Sequence, residues 1–222
     1  MIGCTPLRTF IQARRSGMTT INFGPDWQRE LWDSPYRLRF ELSTGGANLT
    51  QFIGAYDRAR SLARAALPSD NVVAIIAAYP KTTRRMAKWP SWARRAPFVL
   101  LDEMGVPTAP AEATWSGHTD PEDEADPDMP LLEHRAVSIT WDKVDILLWN
   151  QVAHDLLVQP EAPVLTRLVD VARGVTVYAY DDRGMDITAV SPDPILELYS
   201  RFDHWLLDYD RARMSEAFAP RT

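Results

Sequence analysis

Val175-Thr176-Val177-Tyr178-Ala179-Tyr180 and Met185-Asp186-Ile187-Thr188-Ala189-Val190 stand on either side of Asp181-Asp182-Arg183-Gly184. Both flanks are rich in β-branched and aromatic residues and the four residues between them are turn formers, so the stretch predicts a β-hairpin. Gly184 is expected to supply the positive φ of a tight turn. A lone hairpin is marginal in water and needs more strands or a covering helix, and its neighbours offer both.

Downstream of Pro192 and Pro194, Ile195, Leu198, Tyr199, Phe202, Trp205, Leu206 and Tyr209 fall on one helical stripe. Glu197, Arg201, Asp203, Asp208 and Arg211 lie off it, which predicts one long amphipathic helix capping the core. Upstream, residues 136–141 alternate as a strand. Residues 142–157 follow as a deeply buried helix, with Ile146, Trp149, Ala153 and Leu156 among its apolar positions.

Further upstream, residues 36–42 (YRLRFEL) alternate apolar and charged side chains, the period of a half-buried strand. Residues 48–67 place Leu49, Phe52, Ile53, Tyr56, Ala59, Ala63, Ala66 and Leu67 at helical spacing, with Asn48 as the expected N-cap. The near-continuous apolar run 71–79 reads as a central strand covered on both faces. Residues 98–101 are expected to add a short strand, and residues 81–95 a helix interrupted at Pro90.

These elements predict an α+β fold: one domain over residues 18–222, with a mixed sheet of about five strands covered by helices. Phe40, Phe52, Ile75, Trp149, Tyr180, Phe202 and Trp205 are expected to share a single core, and truncating Trp205 is expected to cost ~3 kcal/mol or more. Residues 1–17 read as a poorly ordered N-terminal extension, which leaves both Met1 and Met18 open as the start. Residues 105–130 are proline-rich, and residues 118–130 carry six carboxylates, so this stretch reads as a long exposed loop inserted in the domain.

Composition narrows the function. The single cysteine, Cys4, excludes an intramolecular disulfide and a Cys-rich zinc cluster, and suits a reducing compartment. No apolar run reaches the ~18 residues of a membrane span. The net charge of −6 hides a division: residues 1–100 carry 15 Lys and Arg against 6 Asp and Glu, and the remainder 9 against 24. Intramolecular compensation is the simplest account of that division.

The strings that mark serine hydrolases, P-loop proteins and dinucleotide-binding folds are absent. The four histidines stand apart, with His154 and His204 expected on packed helix faces, so a zinc hydrolase is not expected. No cofactor is expected.

Two constellations remain. Asp181, Asp182 and Asp186, with Glu41 brought near by the sheet, form an acidic group that could attract a hard cation, although Arg183 and the turn favour a structural role. Asp208, Asp210 and Arg211 are expected to lock the last helix to the hairpin through an Arg–carboxylate fork, or to line a pocket with Arg39. The second constellation is basic and aromatic: Lys81, Arg84, Arg85, Lys88, Trp89, Trp92, Arg94 and Arg95. It suits an anionic protein partner or nucleic acid, against the plainer reading of a solvated helix.

The strings Tyr180-Asp181-Asp182-Arg183-Gly184-Met185-Asp186, Leu198-Tyr199 and Trp205-Leu206-Leu207-Asp208-Tyr209-Asp210-Arg211 resemble the C-terminal signature of a bacterial family known as domain of unknown function 3885. Arg39-Phe40-Glu41-Leu42 resembles its opening strand. The resemblance implies a compact bacterial cytoplasmic domain and carries no catalytic residue, substrate or cofactor. The missing catalytic strings, the abundant tryptophan and the charge division lead instead to the expectation of a non-enzymatic protein-binding module, with an immunity-type inhibitor as one form of it. The alternatives are a metal-assisted hydrolase using the hairpin aspartates and a nucleic-acid-binding protein using residues 81–95.

Overall fold

The computed structural model describes residues 23–24, 33–79, 96–119, 123–124, 126 and 129–218. The extension 1–17 and the basic, aromatic segment 81–95 lie outside the described residues. The strands are β1 (Arg37–Glu41), β2 (Val72–Ala78), β3 (Ala113–Gly117), β4 (Leu132–Ile139), β5 (Val164–Asp170), β6 (Val175–Ala179) and β7 (Gly184–Ala189). The helices are α1 (Asn48–Ala66), α2 (Pro97–Glu103), α3 (Trp141–Ala153), α4 (Leu196–Arg201) and α5 (Arg211–Phe218).

The fold is α+β, with one seven-stranded sheet in the order β1-β7-β6-β5-β2-β4-β3. Every neighbouring pair is antiparallel, so the expected mixed sheet of about five strands is corrected on both counts. The hairpin β6–β7 forms as predicted, and β2 lies inside the sheet with all seven residues buried. The two extra strands lack a clean period. In β5, Thr166, Arg167 and Asp170 are buried polar residues that mask the apolar pattern, and β3 is an edge strand with Trp115 as its one large side chain.

Residues 98–101 are helical rather than extended. Pro97 opens α2 at a position where its missing N–H costs nothing, and Phe98 and Leu101 are buried one turn apart. The expected loop 105–130 contains β3. Thr119, near its acidic part, is buried and its carbonyl accepts a hydrogen bond from Arg167 Nη2 at 3.1 Å.

One sheet face carries the main core. Phe40, Phe52, Leu62, Ile76, Leu147, Leu148, Met185 and Ile187 meet there under α1, α3 and α4. Trp149 and Trp205 pack against it only partly buried. Ile75 faces the other side, in a smaller cluster with Phe23, Val73, Ala136 and Val169. Tyr180 lies on that second face with Tyr178 and Asp186, because residues two apart in a strand share a face. The expected single core is therefore two.

Several helix details differ from expectation. Ala47 rather than Asn48 is the N-cap of α1, and Leu49 and Ile53 are 64% and 53% exposed. His154 and His204 are exposed. The long C-terminal helix is broken: Leu206 and Leu207 are extended, with ψ of 134° and 118°. Backbone pairing with β1 explains the break, since Leu206 forms a bridge with Phe40 and Leu207 N donates to Arg39 O at 2.8 Å. The break takes Tyr209 off the apolar stripe and leaves it 88% exposed.

Candidate functional site

The hairpin turn spends its carboxylates locally. Asp181 Oδ1 accepts from the Arg183 and Gly184 backbone N–H groups at 2.7 and 3.1 Å, and its Oδ2 accepts from Arg183 Nε at 2.8 Å. The buried Asp182 accepts from Gln51 Nε2 at 2.8 Å, tying the turn to α1. Gly184 does not adopt a positive φ, as was expected of it. It is needed for space instead, because a Cβ there would lie 1.9 Å from the Tyr180 hydroxyl.

Asp186 belongs to a different group. Cross-strand register sets Arg39 opposite Asp186, and Arg39 bridges two carboxylates, Asp186 Oδ1 at 3.2 Å and Asp210 Oδ2 at 2.7 Å. Arg37 approaches Asp186 at 3.9 Å and Arg213 approaches Asp210 at 3.7 Å. Burial pushes the Asp186 carboxyl above its ordinary range, and the two facing guanidiniums oppose that shift.

The predicted polar cluster thus separates into parts. Asp181, Asp182 and Arg183 build the turn; Arg39, Asp186 and Asp210 form a clamp; Glu41 is exposed on β1. Arg211 does not reach the hairpin. It pairs with Asp203 at 2.7 Å and Asp208 at 3.0 Å on the surface, and the carboxylate of Asp210 makes the expected lock instead. Among the described residues no group of three His, Cys, Asp or Glu side chains is placed to hold a metal ion.

The clamp positions a groove. With Asp210 held by Arg39 and Leu206 paired to Phe40, residues 202–210 run along the free edge of β1. There Phe202 meets Phe40 edge-on with ring centroids 6.5 Å apart, and Trp205 stacks on Phe202 at 5.2 Å. Between this segment and α1 lies a groove of about 670 Å³, lined by Asp57, Arg60, Ser61, Arg64, Arg201, Phe202 and Trp205.

Asp57, Arg60, Ser61 and Arg64 recur at three- and four-residue spacing, so they share one face of α1. Arg60 is held by both Asp145 oxygens at 3.1 Å, and Arg64 lies 3.8 Å over the Trp141 ring. Arg58, 5.3 Å from the Trp205 ring, is fixed by the Glu41 and Ser43 carbonyls at 3.1 and 2.9 Å.

Sequence reasoning missed these arginines as a site. Their helical repeat is visible as a polar stripe between the apolar positions, but a polar stripe ordinarily means a solvated face. Only the returning C-terminal segment gives it an aromatic second wall.

No curated protein and no solved structure matches the chain. One family does, over residues 21–210, a span that holds the whole sheet and ends on the clamp residue Asp210. The chain belongs to the family described as Domain of unknown function (DUF3885).

Proposed function

We propose that this domain is a non-enzymatic module of the bacterial cytoplasm that binds another protein through the groove between α1 and the C-terminal segment. The observation that supports it is the lining: three arginines and two stacked aromatic rings, with Asp57 in the wall and Asp145 pairing Arg60 and Arg64 from outside it. Arginine and tryptophan dominate binding hot spots because they combine large contact area with directed polar groups. The charge selects an acidic segment, and the Phe202–Trp205 stack favours an apolar residue within it. An immunity-type inhibitor that covers an acidic loop of a toxin is the specific form we favour.

The alternative of a metal-assisted hydrolase has less support, since the hairpin aspartates are spent on the backbone, Gln51 and Arg39. Nucleic acid is the competing polyanion for the same arginines, and one titration separates the two. The Trp205 indole resonance is followed with a twelve-residue Asp/Glu-rich peptide containing one leucine, and with a single-stranded oligonucleotide of equal charge. The expected result is saturable peptide binding that weakens at least tenfold in Arg60→Glu/Arg201→Glu while the cooperative melt is retained, and that falls with salt. Binding of the oligonucleotide alone, or of neither, would sink the reading.

A further inference from the structure

A second cavity, of about 240 Å³, shares no residue with the groove. It opens where the end of β2, the starts of β4 and β5 and the end of β6 meet the last turn of α3. Tyr79, Leu132, Val164 and Tyr180 supply apolar and aromatic wall, and Gln151 and His154 supply the polar groups. Its volume is below the ~300–1,000 Å³ of sites for drug-sized ligands, so a fragment-sized molecule fits.

Gln151 is 4% exposed. Its Nε2 donates to the Ala179 carbonyl at 3.0 Å, but its Oε1 is buried with no hydrogen-bond partner among the described residues. The neighbouring Asn150 shows the ordinary outcome: it donates to Ala162 O at 3.0 Å and accepts from Ala162 N at 2.6 Å. A buried acceptor left open is uncommon in folded proteins and calls for a donor.

One turn further along α3, His154 engages the buried carboxylate of Glu161 through Nδ1, which leaves Nε2 as the ring nitrogen available to the cavity. The bond to Glu161 raises the imidazole above its ordinary value and favours the imidazolium, whose Nε2–H is a donor. An open acceptor and a donor thus sit at i and i+3 on one helix face, beside an apolar chamber.

We propose that this cavity binds a small carboxamide or lactam carried on an apolar ring, its N–H donated to Gln151 Oε1 and its carbonyl accepting from His154 Nε2. A hydrocarbon of the same size satisfies the walls and leaves Gln151 open. A tertiary amide keeps the carbonyl and has no proton to give.

Benzamide, N,N-dimethylbenzamide and toluene are the probes, titrated into the full chain while the Gln151 side-chain amide and the His154 ring nitrogens are followed by NMR. Benzamide is expected to shift both sets saturably and to bind at least tenfold more tightly than the dimethyl compound. Gln151→Leu should bring the two to equal affinity. His154→Ala should weaken benzamide at a retained cooperative melt, with some loss of melting temperature because Glu161 is buried and loses its partner. Equal binding of all three probes would overturn the proposal in favour of an unspecific apolar void. So would a Gln151 amide that shows only exchange with bound water and no response to benzamide. Arg60→Glu/Arg201→Glu should leave benzamide binding unchanged, so this test and that of the groove fail separately.

Discussion

Arg39 Nη1 lies 2.7 Å from Asp210 Oδ2, a hydrogen bond between residues 171 apart in sequence that fastens the C-terminal segment to the edge of the sheet. Arg39 also satisfies Asp186, so its loss strands two carboxylates at once. Breaking a fully buried pair typically costs ~3–5 kcal/mol. These side chains are 29% and 15% exposed, so Arg39→Met should cost about 2 kcal/mol and Asp210→Asn about 1 kcal/mol. Urea denaturation of both single variants and the double variant checks this. The double variant should lose less than the sum of the two, because its partners share one interaction.

The aromatic wall of the groove divides unequally between core and surface. Phe202 is buried against Phe40, and Phe202→Ala should cost ~3–4 kcal/mol. Trp205 is only partly buried, so Trp205→Ala should cost about 1–2 kcal/mol, below the figure its place on the helical stripe suggests. Equal denaturation midpoints for the two variants would contradict this division.

Gly184 should tolerate no side chain. A Cβ would lie 1.9 Å from the Tyr180 hydroxyl and 2.4 Å from the ring carbon that bears it, and overpacking of this kind costs ~1–3 kcal/mol. Gly184→Ala should therefore be destabilising in the parent and nearly neutral in a Tyr180→Ala background. If the turn needed a positive φ instead, Asn would outperform Ala at this position in either background, and thermal melts of the six proteins show which holds.

His134 is fully buried, with its ring stacked on Trp115 at 5.0 Å, and burial together with the charge of Arg167 pushes its imidazole down to about 4. A folded-state value below the unfolded one favours the neutral ring in the fold. The stability it contributes is complete above pH ~6.5 and is lost as pH falls from there through about 4, by up to ~3 kcal/mol. Urea stability measured across that window should decline, and the difference between parent and His134→Phe should track the titration. A parallel pair of curves would show that His134 is not the group responsible.

Millimolar Mg²⁺, Mn²⁺ or Ca²⁺ should leave the melting temperature unchanged, because Asp182 faces Gln51 and Asp186 faces Arg39 rather than a common point. An ion that bound only the native state would raise it by linkage. A saturable rise that disappears in Asp182→Asn/Asp186→Asn would move the hydrolase reading to first place.

Local pattern was enough for the hairpin β6–β7, for β1, β2, α1 and the body of α3, because each buries one face or both and so carries a period of two, a period near 3.6, or an unbroken apolar run. Where burial is shared with polar groups the pattern fails. Thr166, Arg167 and Asp170 hide β5, and the four apolar residues after Pro97 are too few to separate helix from strand. The residues of the polar cluster were legible as residue types, but their grouping was not. Asp182 and Asp186, four apart, serve different partners, since one belongs to the turn against α1 and the other to the opposite face of the sheet. The clamp, the broken C-terminal helix and the arginine-aromatic groove depend on Leu206 and Leu207 giving up helical hydrogen bonds to pair with β1. That exchange is decided by a strand edge more than 160 residues away, and a hydrophobic period records only which side of an element is buried, not what buries it.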